Sequence, residues 1–307
     1  MPTSHRRRFT LPKRLQGAAR SWLEEADRAA RKPRLASSVA LVRDAPDGTE
    51  TWLTYRAADS PLGVVAFPGG SVENADQDSF DWFGPSVGQW AELLGTDDYA
   101  LARVHVVAAI RELFEETGVL LAGSDESVVV EGTSTADWVR AREALADQEI
   151  GFADLLAKRG LGLRTDLLRS LVHWVTPNFA HRRFDTRYFA ATLPVGQTPT
   201  LLPSKGVWGQ WVSAGKVMAE KDTTALGDEI GQPDTRGLVL PELLVPATEI
   251  ILTKMGKAKG CIAYLSIKRS NHLYQAELVE EDGQLYLEVE APGGVAPPTE
   301  ALRVVQP

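Results

Sequence analysis

Cysteine is almost missing from this chain: Cys261 is the only one in 307 residues, so no internal disulfide can form and stability has to come from a packed core. It sits in the apolar run CIAYLSI, which reads as a strand carrying a buried structural thiol rather than a nucleophile, and a reducing compartment fits that usage. No run of eighteen apolar residues occurs, which excludes a membrane-spanning helix, and the N-terminal stretch lacks the apolar region of a secretion signal. Although MPTSHRRRFTLPKR is basic, Glu24, Glu25 and Asp27 follow it closely, so it reads as a solvated helix rather than a transit peptide and a cytoplasmic protein is expected. A basic excess is lacking too. The formal net charge of -8 argues against general nucleic-acid affinity and points to a small ligand. The hydrophobic content of 44% suits one large folded domain or one domain with additions.

What the chain does have is concentrated in residues 69–119: GGSVENAD, a long interruption, then RELFEETGV. Glu112, Glu115 and Glu116 stand at i, i+3 and i+4, so on a helix their carboxylates project from one face. Like charges so placed repel, and a divalent cation with hard oxygen ligands relieves the repulsion, Mg²⁺ above all, which binds a few carboxylates together with substrate phosphates. Val106, Ala109, Ile110 and Leu113 give the same helix an apolar stripe, with Ala108 and the three glutamates away from it. Gly118 follows Thr117 where a helix end needs positive φ, after which Val119, Leu120 and Leu121 return to the core. Arg111 lies four residues before Glu115 and can hold that carboxylate in place. Upstream, Pro68, Gly69 and Gly70 mark a tight turn after the apolar run Val64 to Phe67, and a carbonyl of this turn can add an oxygen ligand.

Together these residues resemble the nudix box, the signature of the nudix hydrolases: a glycine, five residues, an acid, seven residues, then Arg-Glu-aliphatic-any-Glu-Glu-any-Gly-aliphatic. Gly70 takes the glycine position, and Arg111, Glu112, Leu113, Glu115, Glu116, Gly118 and Val119 fill every fixed position of the second half. The acid is Asp76 rather than Glu, and residues 77–110 make a 34-residue spacer where seven is usual. An Asp-ended first half with a long insertion resembles one nudix subgroup, the coenzyme A diphosphatase-like proteins with an interrupted box. Trp174, Thr176, Pro177 and the run RRFDTRYF at residues 182–189 fit that subgroup as well, so the resemblance covers roughly residues 36 to 250.

The resemblance implies an α/β fold, a nudix-type α/β/α sandwich with a mixed sheet, helical insertions and a β-rich C-terminal extension. It also implies Mg²⁺- or Mn²⁺-dependent hydrolysis of a nucleoside diphosphate linked to another moiety. Coenzyme A or an acyl-coenzyme A is the first choice of substrate, because Leu53, Thr54, Arg56, Ala57 and Gly63 to Gly70 follow the order of an upstream signature of coenzyme A-cleaving relatives. The chain is shorter than that signature between Ala57 and Gly63, and Pro61 stands where a second arginine belongs. ADP-ribose or NADH hydrolysis, and a non-catalytic nucleotide-binding module, stay open as alternatives.

The site implied by the resemblance has Glu112, Glu115, Glu116 and the Gly70 carbonyl on the metal, with Arg111 orienting a carboxylate. One box glutamate, or an acid elsewhere such as Asp228, Glu229 or Glu242, takes the proton of the attacking water. Arg56, Arg182, Arg183 and Arg187 are candidates for substrate phosphates, because a guanidinium matches phosphate oxygens with paired donors. His105, seven positions before Glu112, reads as solvent-facing, and His173 and His181 are not at metal-ligand spacing. Trp82 and Trp90 are expected to anchor the box insertion to the core or to a second copy of the chain, which leaves a homodimer open.

The rest divides into three expected parts: a basic helical N-terminal extension over 1–34, the catalytic domain over 35–255 with insertions near 77–100 and 134–172, and a β-rich extension over 256–307. Runs at 36–44 and 50–56 around Pro46 and Asp47 form a hairpin. Helices are expected at 135–147, 151–159, 164–172, 214–219 and 241–255, and strands near 172–176, 184–193, 208–212, 261–268, 273–280 and 284–290. Residues 281–283 make the last hairpin turn, and the Pro- and Gly-rich tail from 291 reads as loop.

Overall fold

A computed structural model describes residues 5–25, 27–56, 63–202, 206–269 and 272–291. The chain begins with β1 (His5–Thr10) and α1 (Lys13–Glu24), then the hairpin β2 (Arg34–Ala45) and β3 (Gly48–Tyr55), closed by Pro46 and Asp47 with Ala45 opposite Gly48. β4 (Val65–Ala66) pairs with β3, and β5 (Gly69–Ser71) pairs with β2. The box insertion holds β6 (Trp82–Phe83) and α2 (Val87–Leu94) and leads into α3 (Tyr99–Thr117). Then come β7 (Ala122–Gly123), α4 (Ala136–Ala146), α5 (Phe152–Ala157), β8 (Gly162–Arg164), β9 (Arg169–Val175), β10 (Phe184–Thr192) and β11 (Gly209–Ser213). The C-terminal third holds α6 (Ala214–Ala219), α7 (Ala225–Ile230), α8 (Leu240–Leu243), α9 (Pro246–Met255), α10 (Cys261–Leu265), β12 (Leu273–Gln275), β13 (Glu277–Glu281) and β14 (Gln284–Ala291).

The main sheet runs β11-β3-β2-β10-β9-β12 and is mixed, β10 lying parallel to β2 while β9 and β10 are antiparallel. Period-two alternation sorts its side chains onto two faces. On β2 and β10, Val39, Leu41, Phe189 and Ala191 join the core beneath α2, α3, α4 and α5. Their alternating neighbours Ala40, Val42, Tyr188 and Ala190 join the core on the other side, beneath α1, α6 and α9. The result is an α/β/α sandwich, and among the described residues no helix is long and apolar enough to cross a membrane.

Where the structure departs from the sequence expectations, the cause is local chemistry. Residues 5–10 are a strand, not part of a helix: β1 pairs with β14, and β14 with β13, so segments far apart in the sequence build one small sheet. Residues 164–172, read as a helix, hold the end of β8, a 3-10 turn over Thr165–Leu167 and the start of β9, a short apolar run whose periodicity suits either state. The long helix expected over 241–255 is broken at Leu244 and Val245, because Pro246 forces Val245 into extended backbone (φ -88, ψ 155) and restarts the helix at its own first position. CIAYL is helical rather than extended, and turns Cys261 and Tyr264 inward at i and i+3. Cys261 is buried, as expected of a structural thiol, and burial, then the charge of Asp44, pushes that thiol up to about 12. The hairpin turn at Asp282 and Gly283 has φ of 50 and 76 degrees, the two-residue turn that positive φ permits. The tail beyond 291 lies outside the described residues.

His105 corrects another expectation: it is buried inside α3, with Nδ1 3.1 Å from Ser37 Oγ. Burial first, then the Arg187 charge, lowers its pKa to about 4. Above the unfolded value near 6.5 the ring is neutral in both states, so pH has no effect through it. Between about 6.5 and 4 only the unfolded chain takes up the proton, and folding stability falls by up to about 3 kcal/mol. Below 4 the loss is complete. Urea unfolding at pH 7 and pH 5 should show the drop, and the His105→Gln variant should show a smaller one; equal slopes in both proteins would rule His105 out as the cause.

Candidate active site

α3 is built to deliver its last two turns intact. Asp98 caps its start, Oδ1 accepting from the Leu101 N–H at 2.9 Å, and Gly118 ends it at φ 74 with its N–H bonded to the Phe114 carbonyl. The 34-residue spacer does not disturb this, because it is held to the same core: Trp90 is buried edge-on to Phe189 at 5.9 Å and α2 packs on α3. Trp82 donates its indole N–H to the Pro85 carbonyl at 2.7 Å. Both tryptophans thus serve the insertion itself.

Because the insertion loops out, Asp76 lands on Arg111 across 35 positions. The two form a bidentate pair, Nε to Oδ1 at 2.8 Å and Nη2 to Oδ2 at 3.0 Å, with Asp76 at 0% and Arg111 at 2% exposure. The remaining donors of Arg111 reach Glu115 at 3.0 Å, Glu112 at 3.1 Å and the Ser71 carbonyl at 2.9 Å. Burial works against that charge, but the Asp76 hydrogen bonds and the surrounding carboxylates outweigh it and hold the Arg111 pKa above its ordinary value. The i, i+4 pair with Glu115 read from the sequence is therefore one contact of a larger clamp.

β5 supplies the opposite wall. Gly70 pairs with Ser37 in the ladder, and a Cβ on it would come within 2.5 Å of the Glu112 carboxylate, so the glycine leaves the space in which the acid rests. Glu116 accepts from the Gly69 N–H at 3.1 Å and from Arg56 Nη2 at 2.6 and 2.7 Å, while the same nitrogen donates to the Gly69 carbonyl at 2.6 Å. Burial, opposed by Arg111 and reinforced by the charges of Glu116 and Glu115, pushes the Glu112 carboxyl up to about 8.

The structure thus brings together Gly70, Arg111, Glu112, Glu115, Glu116 and Arg56. Arg183 donates instead to the Thr176 and Arg31 carbonyls, and Arg187 is buried with Nη1 on the Leu94 carbonyl, so neither is bonded to the cluster. Arg182 lines a cavity on the other face of the sheet. Asp228 is taken up by Thr224 and the Gly237 N–H, and Glu242 by the Lys13 N–H, and exposed Glu229 lies beside Asp228 on α7, so none of the three joins the cluster. His173 is paired with Asp185 at 2.6 Å. Arg142, which no sequence signal marks, is buried on α4 and donates to the Glu115 carbonyl at 2.8 Å and to the Thr200 carbonyl at 2.9 Å, tying the end of α3 to the helical insert. Burial pulls its pKa down to about 10, against the pull of Glu116 and Glu115.

The donor set fits a hard divalent cation: three carboxylates on adjacent turns of one helix face, with burial and the two neighbouring carboxylates raising the pKa of Glu112. Among the described residues no three acidic, histidine or cysteine side chains converge in ligating geometry; Arg56 engages Glu116 and Arg111 engages Glu115.

By sequence, the chain matches no family model and no curated protein. By structure it is similar to a nudix hydrolase from Alicyclobacillus acidocaldarius, at 24% identity and a TM-score of 0.57 over 78% of this chain and 98% of that one. Looser matches are a MutT/nudix family protein from Enterococcus faecalis (14% identity, TM-score 0.31, 64% of this chain and 50% of that one) and an Ap4A hydrolase from C. elegans (13%, 0.31, 64% and 92%). The first of these likenesses shows the nudix fold.

Proposed function

We propose that this nudix-fold chain is a Mg²⁺- or Mn²⁺-dependent pyrophosphohydrolase that splits the diphosphate bridge of a nucleoside diphosphate linked to another moiety. Coenzyme A or an acyl-coenzyme A is the proposed substrate. The observation that carries the reading is the three-glutamate face of α3, clamped by the Arg111–Asp76 pair and set against the glycines of β5. A diphosphate is anionic and repels a nucleophile, and a divalent cation bound here would neutralise its oxygens and lower the pKa of a water. Glu112, Glu115 and Glu116 would hold the cation. Arg111 orients Glu115 and keeps Glu112 in place, and Arg142 fixes the backbone at Glu115. Arg56 stands beside the cluster with its guanidinium on Glu116, positioned to exchange that carboxylate for a substrate phosphate oxygen. Coenzyme A is favoured by the order Leu53, Thr54, Arg56 and Gly63 to Gly70, in which Arg56 and Gly69 lie against Glu116; Ala57, and Pro61 in place of the signature's second arginine, lie outside the described residues.

The test is purified protein with Mg²⁺ or Mn²⁺ and a panel of coenzyme A, acyl-coenzyme A, ADP-ribose, NADH, dinucleoside polyphosphates and nucleoside triphosphates. Cleavage of coenzyme A to a phosphopantetheine and a nucleotide product is expected. Tight binding of one compound without turnover of any would replace the hydrolase by a binding module. Gly70→Ala supplies a finer test. The added methyl pushes the Glu112 carboxylate aside, a flexible group that yields cheaply, so unfolding stability should change by no more than about 1 kcal/mol. Turnover should fall about tenfold or more. An unchanged rate would mean that Glu112 has no part in catalysis.

A further inference from the structure

A cavity of about 460 Å³ lies on the face of the main sheet opposite α3. α1 roofs it through Arg14, Leu15 and Ala18, the segment from Thr176 to Arg182 closes one end, and the first turn of α9 closes the other. It is separate from the glutamate cluster. From β5 to β9 is three strand spacings, about 14 Å, and the sheet itself intervenes.

Two features define what it can hold. Its floor is apolar: Trp174, Phe179, Leu244 and Leu287 are all nearly fully buried and belong to one core cluster. Its roof carries Arg14, whose Nε and Nη2 are buried and have no hydrogen-bond partner. Glu242 and Asp234 act on Arg14 through space, yet neither takes up those two donors. A buried guanidinium cannot shed its proton, and donors left unmade in such a place cost free energy that an anionic acceptor would offset. Arg182 lines the same cavity, and its volume is that of a small-molecule site.

We propose that this cavity binds a small amphipathic anion, a hydrocarbon chain ending in a carboxylate or phosphate, with the acid on the Nε and Nη2 of Arg14 and the chain against Trp174, Phe179 and Leu287. The site is independent of the hydrolase reading, since it shares no residue with the glutamate cluster.

Calorimetric titration of the full chain with decanoate, decyl phosphate and decanol at submicellar concentrations tests it. The two anions should bind, and the alcohol at least about tenfold more weakly, because only an anion answers the Arg14 donors. Arg14→Met should weaken the anions by a similar factor and leave hydrolysis of the nucleotide substrate unchanged. Ala18→Trp, which fills the roof, should abolish binding of all three. Failure of both anions to bind, equal binding of decanol, or undiminished binding to the Arg14→Met protein would each overturn the proposal. The comparison of acid with alcohol needs no variant, so it holds even where a substitution impairs folding.

Discussion

Glu116→Gln is expected to leave the protein folded and to lower turnover by about 10²-fold or more at saturating Mn²⁺. The amide keeps the size of the side chain and one acceptor for the Gly69 N–H or for Arg56, so the last turn of α3 and the β5 glycine bend keep their shape. What it removes is a negative charge and a hard anionic oxygen at the point where the proposed chemistry gathers positive charge against a diphosphate. The measurement is kcat on whichever substrate the panel identifies, beside thermal unfolding of the two proteins. A variant that turns over at near the parent rate would remove Glu116 from the site. A variant that also unfolds several degrees lower would show that the Arg56–Glu116 pair holds the fold together, and the functional reading would lose this support.

Asp76→Ala should cost about 3 to 5 kcal/mol of folding stability, the largest effect expected from any single substitution here. Asp76 takes up two of the three nitrogens of a guanidinium that is 2% exposed, and its removal leaves that charge inside the protein with fewer acceptors. Solvent-exposed pairs behave otherwise: Arg6 with Glu288 joins the two chain ends, yet with the arginine side chain 70% exposed its loss should barely register. Urea unfolding checks the contrast. The Asp76 variant should also lose activity, because Arg111 then loses its bidentate anchor while it positions Glu112 and Glu115. A stability loss below about 1 kcal/mol would mean that Glu112, Glu115 and the Ser71 carbonyl satisfy Arg111 unaided.

Much of the geometry of the glutamate cluster is legible in the sequence because its parts are local. Glu112, Glu115 and Glu116 share a face by helix geometry alone, Gly118 ends the helix by its tolerance of positive φ, and the Arg111–Glu115 contact is an i, i+4 neighbour relation. The arginines were a different case. A guanidinium suits phosphate, but it suits backbone carbonyls equally well, and Arg183 and Arg187 bond to carbonyls. Arg142 gave no sign in the sequence, since nothing local says that α4 will lie against the end of α3. His105 looked exposed on a helical wheel because α3 is covered on nearly every side, which a single amphipathic stripe does not foretell.

By itself, the order of residues determined which acids stand together, where their helix ends, and that the chain would fold as alternating strands and helices, because spacings of two, three and four residues act through bonds and turns a few ångströms long. Only the tertiary structure decided that Asp76 would meet Arg111 across a looped-out insertion, that β1 would pair with β14, and that Arg14 would be left with unanswered donors over an apolar cavity. Those contacts join segments far apart in the chain. They form because burying two helical layers against one sheet brings the segments together, a consequence of the whole core that no local pattern contains.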